Sequence, residues 1–237
     1  MTGYGQVAEH FTLYDKQKLG QLQVQAPYEP PGRNATWVRG SIRVKPDPSS
    51  YPRDFVITGP KMQVCYGGCR WNRLVLALPG AANENVYMFE KWLRSVGDSV
   101  KTAIWTNPGK YKPGAATNTR FVFDDNFIRP SSDPAMYPDE LLTKLSVRRV
   151  TPQANEDEPE EVVDAELFAD GPDGPVPVDP QDITNGSYVI PIFKISYFRN
   201  NERFGLTLTV LKAKIFLNEG TRKIENGSWV FDEMDTN

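Results

Sequence analysis

The sequence contains few of the side chains that most often carry out catalysis or bind transition metals. Its 237 residues include one histidine, His10, and two cysteines, Cys65 and Cys69. A tetrahedral zinc site draws its ligands mainly from cysteine and histidine, so this chain is poorly suited to form one. One histidine near the amino terminus also argues against Ser-His and Cys-His catalysis. We therefore predict no metal site, no cofactor and free, partly buried thiols, while a disulfide between the two cysteines stays open.

Two further absences concern membranes and nucleotides. No apolar run is long enough to cross a bilayer, and the first residues, MTGYGQ, lack the basic-then-apolar pattern of a signal peptide. Neither a Walker phosphate loop nor a Rossmann glycine fingerprint occurs, and the Gly67-Gly68 pair lacks the following helix that a phosphate cradle requires. These features predict a soluble intracellular protein without a membrane partner.

The adjacent carboxylates Asp124 and Asp125 are the clearest candidates for acid–base chemistry. They fall in a predicted turn, where solvated carboxylates are more common than catalytic dyads. We therefore predict that the protein is not an enzyme. A metal-dependent nuclease stays open, because the carboxylates of such a site need not be adjacent in sequence.

Turn residues are abundant and favour a mostly β protein. The chain has 20 prolines and 18 glycines, and turns separate about nine to eleven short segments of strand character. A helical turn is predicted at 139–142, and one amphipathic helix is predicted over 83–100 because apolar residues recur there every three or four positions. The residues of this stripe are Val86, Phe89, Leu93, Val96 and Val100. Many short strands with one main helix indicate a β-barrel or a sandwich.

The most regular stretch predicts a long β-hairpin, with strands at 188–198 and 204–216 and a polar turn between them. Side chains alternate between the two faces of a strand. Strict alternation places the following residues of the second strand on one face: Phe204, Leu206, Leu208, Val210, Lys212, Lys214 and Phe216. Lysines among aromatic rings on a sheet surface suit a single-stranded nucleic acid, because rings stack on bases and ammonium groups contact phosphates.

Charge is distributed unevenly along the chain. Residues 151–182 carry eleven acidic side chains and no lysine or arginine, and residues 224–237 carry four more acids, again without a base. The rest of the chain holds 27 basic residues against 15 acidic ones, although the whole protein has a net charge of −3. A basic body with separate acidic segments is typical of proteins that bind polyanions. The alternative, that 151–182 is only a solvated insertion, stays open.

Basic and aromatic residues are interleaved throughout this basic body. Base stacking on two or three rings is sufficient for sequence-tolerant binding, and cations add a salt-dependent contribution. The predicted nucleic-acid contacts are Trp37, Arg39, Arg43, Trp71, Arg73, Trp105, Lys110, Tyr111, Lys112, Arg120, Lys194, Tyr197, Arg199, Lys212 and Lys214.

The final strand pair combines an aromatic-glycine start, alternating apolar residues and a basic-apolar close. Its strands read PIFKISYF at 191–198 and RFGLTLTVLKAKIF at 203–216. In these features, and in the amphipathic helix followed by Trp105, the chain resembles the viral single-stranded DNA-binding proteins with an OB-type barrel. That family is found in large eukaryotic DNA viruses and, more distantly, in podophages. The resemblance covers the middle and C-terminal two-thirds of the chain.

The resemblance implies an OB-like barrel with insertions that coats exposed single-stranded DNA during replication, recombination or repair, without catalysis. It further implies that an acidic aromatic tail, here 224–237, mimics DNA and binds replication partners. In this tail Thr236 and Asn237 replace the usual terminal aromatic residue. We thus expect one barrel domain over 1–223 with an acidic insertion at 151–182. A homo-oligomer, and a host nucleus or cytoplasmic replication site if the protein is viral, stay open, as does a structural or assembly β-sandwich.

Overall fold

The computed structural model describes residues 12–13, 21–27, 37–45, 49–70, 72–150 and 160–218. Within these residues the chain is mostly β, as predicted, with sixteen strands and two α-helices. His10, Trp71, the predicted tail 224–237 and the first part of the acidic segment, 151–159, lie outside the described residues.

The elements follow one another along the chain with the long helix near the middle. Strands β1 to β7 span Thr12–Leu13, Leu22–Val24, Trp37–Val44, Arg53–Asp54, Val56–Thr58, Met62–Arg70 and Arg73–Leu78. Helices α1 and α2 span Glu84–Thr106 and Pro108–Tyr111. Strands β8 to β14 span Val122–Asp124, Ile128–Arg129, Asp139–Leu145, Val147–Val150, Glu160–Val163, Glu166–Gly171 and Gly174–Pro177. The two longest described strands, β15 and β16, span Tyr188–Asn200 and Arg203–Phe216.

The predicted long hairpin is confirmed as β15 and β16, and it forms the centre of the main sheet. The other edge of β15 pairs in succession with β6, β5 and β3, and the other edge of β16 pairs with β13, β10 and β8. The pairings β15–β6–β7–β10–β16 lead back to β15, so these five strands form a closed ring. Within the ring β10 and β16 are parallel, and the other neighbouring strands are antiparallel.

Helix α1 confirms the predicted amphipathic helix and is longer than expected. It begins after Asn83, whose side-chain oxygen accepts a hydrogen bond from the backbone N–H of Val86, and it continues to Thr106. All five predicted stripe residues are buried. The ring of Phe89 stacks on that of Phe193, with centroids 6.0 Å apart, so the stripe packs against the inner face of β15.

A β-bulge in the long hairpin corrects the predicted alternation. Phe193 pairs with Val210, but the preceding Ile192 pairs with Lys212, which leaves Leu211 as an extra residue. An extra residue moves every later side chain to the other face. The inner face therefore holds Phe204, Leu206, Leu208 and Val210. Lys212 and Lys214, which follow the bulge, lie on the outer face.

One other segment differs from the sequence-based expectation, and the structure also describes part of a segment whose packing the sequence left open. The predicted helical turn at 139–142 is instead the start of strand β10, which pairs with β7 and β16. The described part of the acidic segment contains the hairpin of β13 and β14, and β13 joins the main sheet along β16. The described part of the acidic segment therefore packs on the main sheet. In both segments the secondary structure is determined by pairing with strands distant in sequence, and not by local sequence preference.

Candidate nucleic-acid interface

The outer face of β3, β15 and β16 brings aromatic and basic side chains together at one end of the long hairpin. Residues that are partners in register point to the same face of a sheet. Trp37 pairs with Asn200, which in turn pairs with Arg203. Two residues farther from the hairpin turn, and on the same face, Arg39 pairs with Phe198. Three adjacent strands therefore present two rings and two guanidinium groups side by side.

The centre of this surface is a stack of two rings. Trp37 and Phe198 have centroids 6.4 Å apart and planes inclined by 12°, and Trp37 is 44% exposed. The guanidinium carbon of Arg39 lies 5.3 Å from the centroid of the Trp37 ring, in cation–π geometry. The stack is held from below by the sheet and remains open to solvent.

A cleft of about 260 Å³ adjoins the stack. Trp37 and Phe198 line it together with Arg73 from β7 and Lys144 from β10, and its other lining residues are mostly apolar. Arg73 and Lys144 are partners in the antiparallel pair of β7 and β10, so both side chains leave the sheet on the same face. We call the set Trp37, Arg39, Arg73, Lys144 and Phe198 the stacking face. It offers flat apolar surfaces for bases beside cations for phosphates.

Three of the sequence-predicted contacts lie in the interior and not on this face. Tyr197 is fully buried under β3, where its hydroxyl donates a hydrogen bond of 2.5 Å to the backbone oxygen of Gln25. Tyr111 is 2% exposed and Arg199 is 5% exposed. Alternation places 197 and 199 on the inner face of β15, so these residues contribute to packing.

Burial also shifts the pKa values of the two buried tyrosines, Tyr197 and Tyr111. It raises the pKa of Tyr197, with the nearby Tyr111 adding to the effect and Arg199 opposing it. Burial likewise raises the pKa of Tyr111. Tyr111 donates a hydrogen bond of 3.2 Å to the backbone oxygen of Val24, which satisfies its hydroxyl away from solvent.

Five predicted lysine contacts make intramolecular bonds. Lys110 donates to the backbone oxygen of Val24 at 3.1 Å, and Lys112 lies 3.3 Å from a carboxylate oxygen of Glu202. The other three ion pairs, at 2.5 to 2.7 Å, are Lys194 with Asp54, Lys212 with Glu166, and Lys214 with Asp170. The four carboxylates offset the positive charge of their lysines, whereas the backbone oxygen of Val24 only holds the Lys110 ammonium group against the protein.

The remaining predicted contacts lie outside the stacking face. Trp105 is 46% exposed on α1, where its indole N–H donates to the backbone oxygen of Phe121 at 3.0 Å and Lys101 covers its ring. Arg120 is exposed in the connection between α2 and β8. Arg43 is exposed on β3, on the same side as Arg39. Trp71 lies outside the described residues.

Sequence reasoning missed Phe198 and Lys144 as members of the stacking face. Phe198 alternates with the buried Tyr197, so its outward direction could have been inferred once the inner face of β15 was known. Lys144 follows a segment that was predicted to be a helical turn. Its position beside Arg73 depends on pairing between distant strands, for which the chain carries no local signal.

The described part of the chain offers little for metal binding, thiol chemistry or a membrane span. No three His, Cys, Asp or Glu side chains among the described residues come together in a way that could hold a metal ion. Cys65 is a free thiol, and burial together with the charge of Glu140 raises its pKa to about 12, with Arg129 opposing. No helix among the described residues combines the length and the apolar character needed to cross a bilayer.

Comparison with known proteins yields a structural likeness. No family model matches the sequence, and no curated protein matches it. Among solved structures, the matches include gp2.5, a single-stranded DNA binding protein encoded by bacteriophage T7. The two chains are 11% identical, the likeness covers 72% of this chain and 97% of that one, and the TM-score is 0.39.

Proposed function

We propose that this protein binds single-stranded DNA on the stacking face. The observation that carries the proposal is the solvent-exposed stack of Trp37 on Phe198, with Arg39 over it and with Arg73 and Lys144 on the adjoining cleft. Ring stacking contributes about 1–3 kcal/mol per base by truncation, and it does not depend on base identity. The surrounding cations add a contribution that falls as salt concentration rises.

The geometry favours a single strand over a duplex. In a duplex the flat faces of the bases are stacked on one another and cannot lie on a protein ring, whereas an unpaired strand exposes them. The stack lies on the open surface of a sheet, and its rings are 6.4 Å apart with nearly parallel planes. A base that lies on the exposed Trp37 ring keeps its phosphate within reach of the neighbouring arginines.

We assign the closed five-stranded ring to an OB-like barrel with insertions. In chain order its strands are β6, β7, β10, β15 and β16, and the second and third of these carry Arg73 and Lys144. OB folds bind oligonucleotides on the face of strands two and three and on the loops beside it. The position of the cleft on β7 and β10 supports this assignment.

The biological role that fits such a surface is coating exposed strands during replication, recombination or repair, without catalysis. Within this proposal the acidic aromatic segment 224–237 serves as a binding site for replication proteins, and coating of long strands involves several copies of the chain.

The test is a fluorescence titration with a labelled single-stranded oligonucleotide at two salt concentrations. Strong, metal-independent binding that weakens steeply with salt, and that an unlabelled single strand competes far better than a duplex of equal length, is the expected result. Cleavage of the oligonucleotide on addition of magnesium would identify a nuclease instead. Absence of both binding and cleavage would favour the structural or assembly protein and would refute the proposal.

A further inference from the structure

Three lysines on the outer face of the long hairpin are each paired with a carboxylate from another strand. Lys194 lies 2.5 Å from Asp54, Lys212 lies 2.7 Å from Glu166, and Lys214 lies 2.7 Å from Asp170. We call these three pairs the ion-pair belt. They cross the middle of the hairpin on the same face as the stacking face. Lys194 lies level with Lys144, since both pair with Thr209, whereas Lys212 and Lys214 lie farther from the hairpin turn than any residue of the stacking face.

Register, and not chance, produces the two pairs on β16. Strand β13 pairs with β16 in parallel, and Glu166 is the direct partner of Lys212. Alternation along β13 then places Asp170 on the same outer face, four residues on. The Glu166 and Asp170 side chains are 68% and 70% exposed, whereas Lys212 is only 11% exposed. The carboxylates are therefore what an approaching ligand meets first.

A second group of rings and cations lies beyond the ion-pair belt. Tyr188 and Phe216 are partners in register, and the Lys61 ammonium lies 5.2 Å and 4.1 Å from their ring centroids. The group resembles Trp37 with Arg39, but ten residues of β15 separate Tyr188 from Phe198. At 3.2–3.4 Å per residue these two rings are about 33 Å apart. The belt lies between them.

We propose that the ion-pair belt ends the DNA track, so that a bound strand crosses the sheet and does not run along the hairpin. A phosphate that reached Lys212 or Lys214 would have to displace a carboxylate, and Glu166 and Asp170 would repel it. The path left to the strand leads from Arg73 and Lys144, over the stack, to Arg39. This inference rests on the proposed function and adds to it the place where the DNA-binding surface ends.

The path across the sheet also sets the scale of the footprint. From β7 through β10, β16 and β15 to β3 there are four inter-strand steps, or about 19 Å at 4.7–4.9 Å each. Such a width fits the lower end of the range of about 4–16 nucleotides per OB fold. A track along the hairpin to Tyr188 would be considerably longer.

The experiment measures the salt dependence of affinity, and the shortest oligonucleotide that binds fully, for four proteins. These are the unaltered chain, K212Q/K214Q, E166Q/D170N and the combination of all four changes. We expect K212Q/K214Q to match the unaltered chain. E166Q/D170N should steepen the slope of log K against log salt by about 1.4, the value for two added phosphate contacts on a single strand, and should lengthen the minimal oligonucleotide. The fourfold variant should return to the original slope.

A matched control separates local release of the lysines from a general gain in positive charge. E84Q/D98N removes two exposed carboxylates from α1 and changes net charge by the same amount. It should leave the slope and the minimal length unchanged. Thermal melts of every variant verify folding, and K212Q/K214Q alone still decides the question if E166Q/D170N unfolds.

Two results would overturn the inference. One is a flatter slope in K212Q/K214Q, which would mean that DNA contacts these lysines despite their partners. The other is an unchanged slope in folded E166Q/D170N, which would mean that the carboxylates exclude nothing. Failure of the proposed function is distinct from both, because the unaltered chain would then show no salt-dependent binding.

Discussion

The ring of Phe198 lies directly across Gly205, its register partner on β16. A β-carbon at Gly205 would come within 2.6 Å of Cε1 of Phe198 and within 2.7 Å of the backbone oxygen of Asp124. The glycine therefore leaves the space in which Phe198 extends over the sheet towards Trp37. Backbone on one side and the ring on the other leave an added methyl group no position without displacement.

Gly205→Ala should therefore disturb the stack and the fold together. Overpacking of this kind costs about 1–3 kcal/mol, and because the backbone oxygen of Asp124 is fixed by pairing of β8, we expect the Phe198 ring to move. Denaturant unfolding measures the first effect and oligonucleotide affinity the second. Gly109→Ala is the control, since its nearest atom would be 3.7 Å away. Unchanged stability and affinity in Gly205→Ala would contradict this account of the stack.

Trp37→Ala should weaken DNA binding by about 1–3 kcal/mol, the usual cost of removing one stacking ring. Tyr188→Ala is the matched control, because Tyr188 is similarly exposed, at 41% against 44%, and also lies under a cation. It stands beyond the ion-pair belt, so its removal should leave affinity unchanged. Equal losses in both variants, measured by fluorescence anisotropy, would show that the Trp37 ring has no special position.

Charge removal should distinguish the cleft from the loop at the end of α2, where the sequence-predicted contacts Lys110 and Lys112 lie. Arg73→Gln with Lys144→Gln should flatten the salt slope by about 1.4, corresponding to two lost phosphate contacts. Lys110→Gln with Lys112→Gln should leave the slope nearly unchanged, because both ammonium groups are bonded within the protein. We expect the loop variant to lose stability instead. The opposite pattern of slopes would return the site to the loop.

The sequence predicted those elements whose signals are local. The stripe of α1 and the strands of the long hairpin appear directly as periodicities of about four and two residues. The outward position of Lys212 could not be read in this way, since Leu211 becomes an extra residue only because Lys212 pairs with Ile192 and Val210 with Phe193. Likewise Lys144 reaches the cleft only because β10 pairs with β7.

Aromatic residues were the least predictable part of the candidate site. Trp37 and Tyr197 have similar neighbours in sequence, yet one is exposed and the other fully buried. The difference lies in Gly40, where a β-carbon would fall 1.9 Å from Cζ of Tyr197. A glycine on a neighbouring strand creates the space for that ring, and only the assembled sheet brings the two residues together.

The buried tyrosines should make stability depend on alkaline pH. Burial raises the pKa of Tyr197 and of Tyr111 above the ordinary value of 10.0. The unfolded chain therefore releases these protons first, so their contribution to stability is complete below pH 10 and is lost as pH rises above it. The slope is about 1.4 kcal/mol per pH unit for each tyrosine that stays protonated in the fold.

Urea unfolding followed between about pH 8 and pH 11 measures this loss. Below pH 10, Tyr197→Phe should be less stable by about 0.5–1.5 kcal/mol, the value of the hydrogen bond to Gln25. Above pH 10 its stability should fall less steeply, so the difference from the unaltered chain should shrink. Tyr51→Phe is the control, because it removes the hydroxyl of a tyrosine that is 90% exposed. Parallel curves for the unaltered chain and Tyr197→Phe would mean that the Tyr197 phenol ionises as readily in the fold as in water, which is incompatible with a ring enclosed beneath β3.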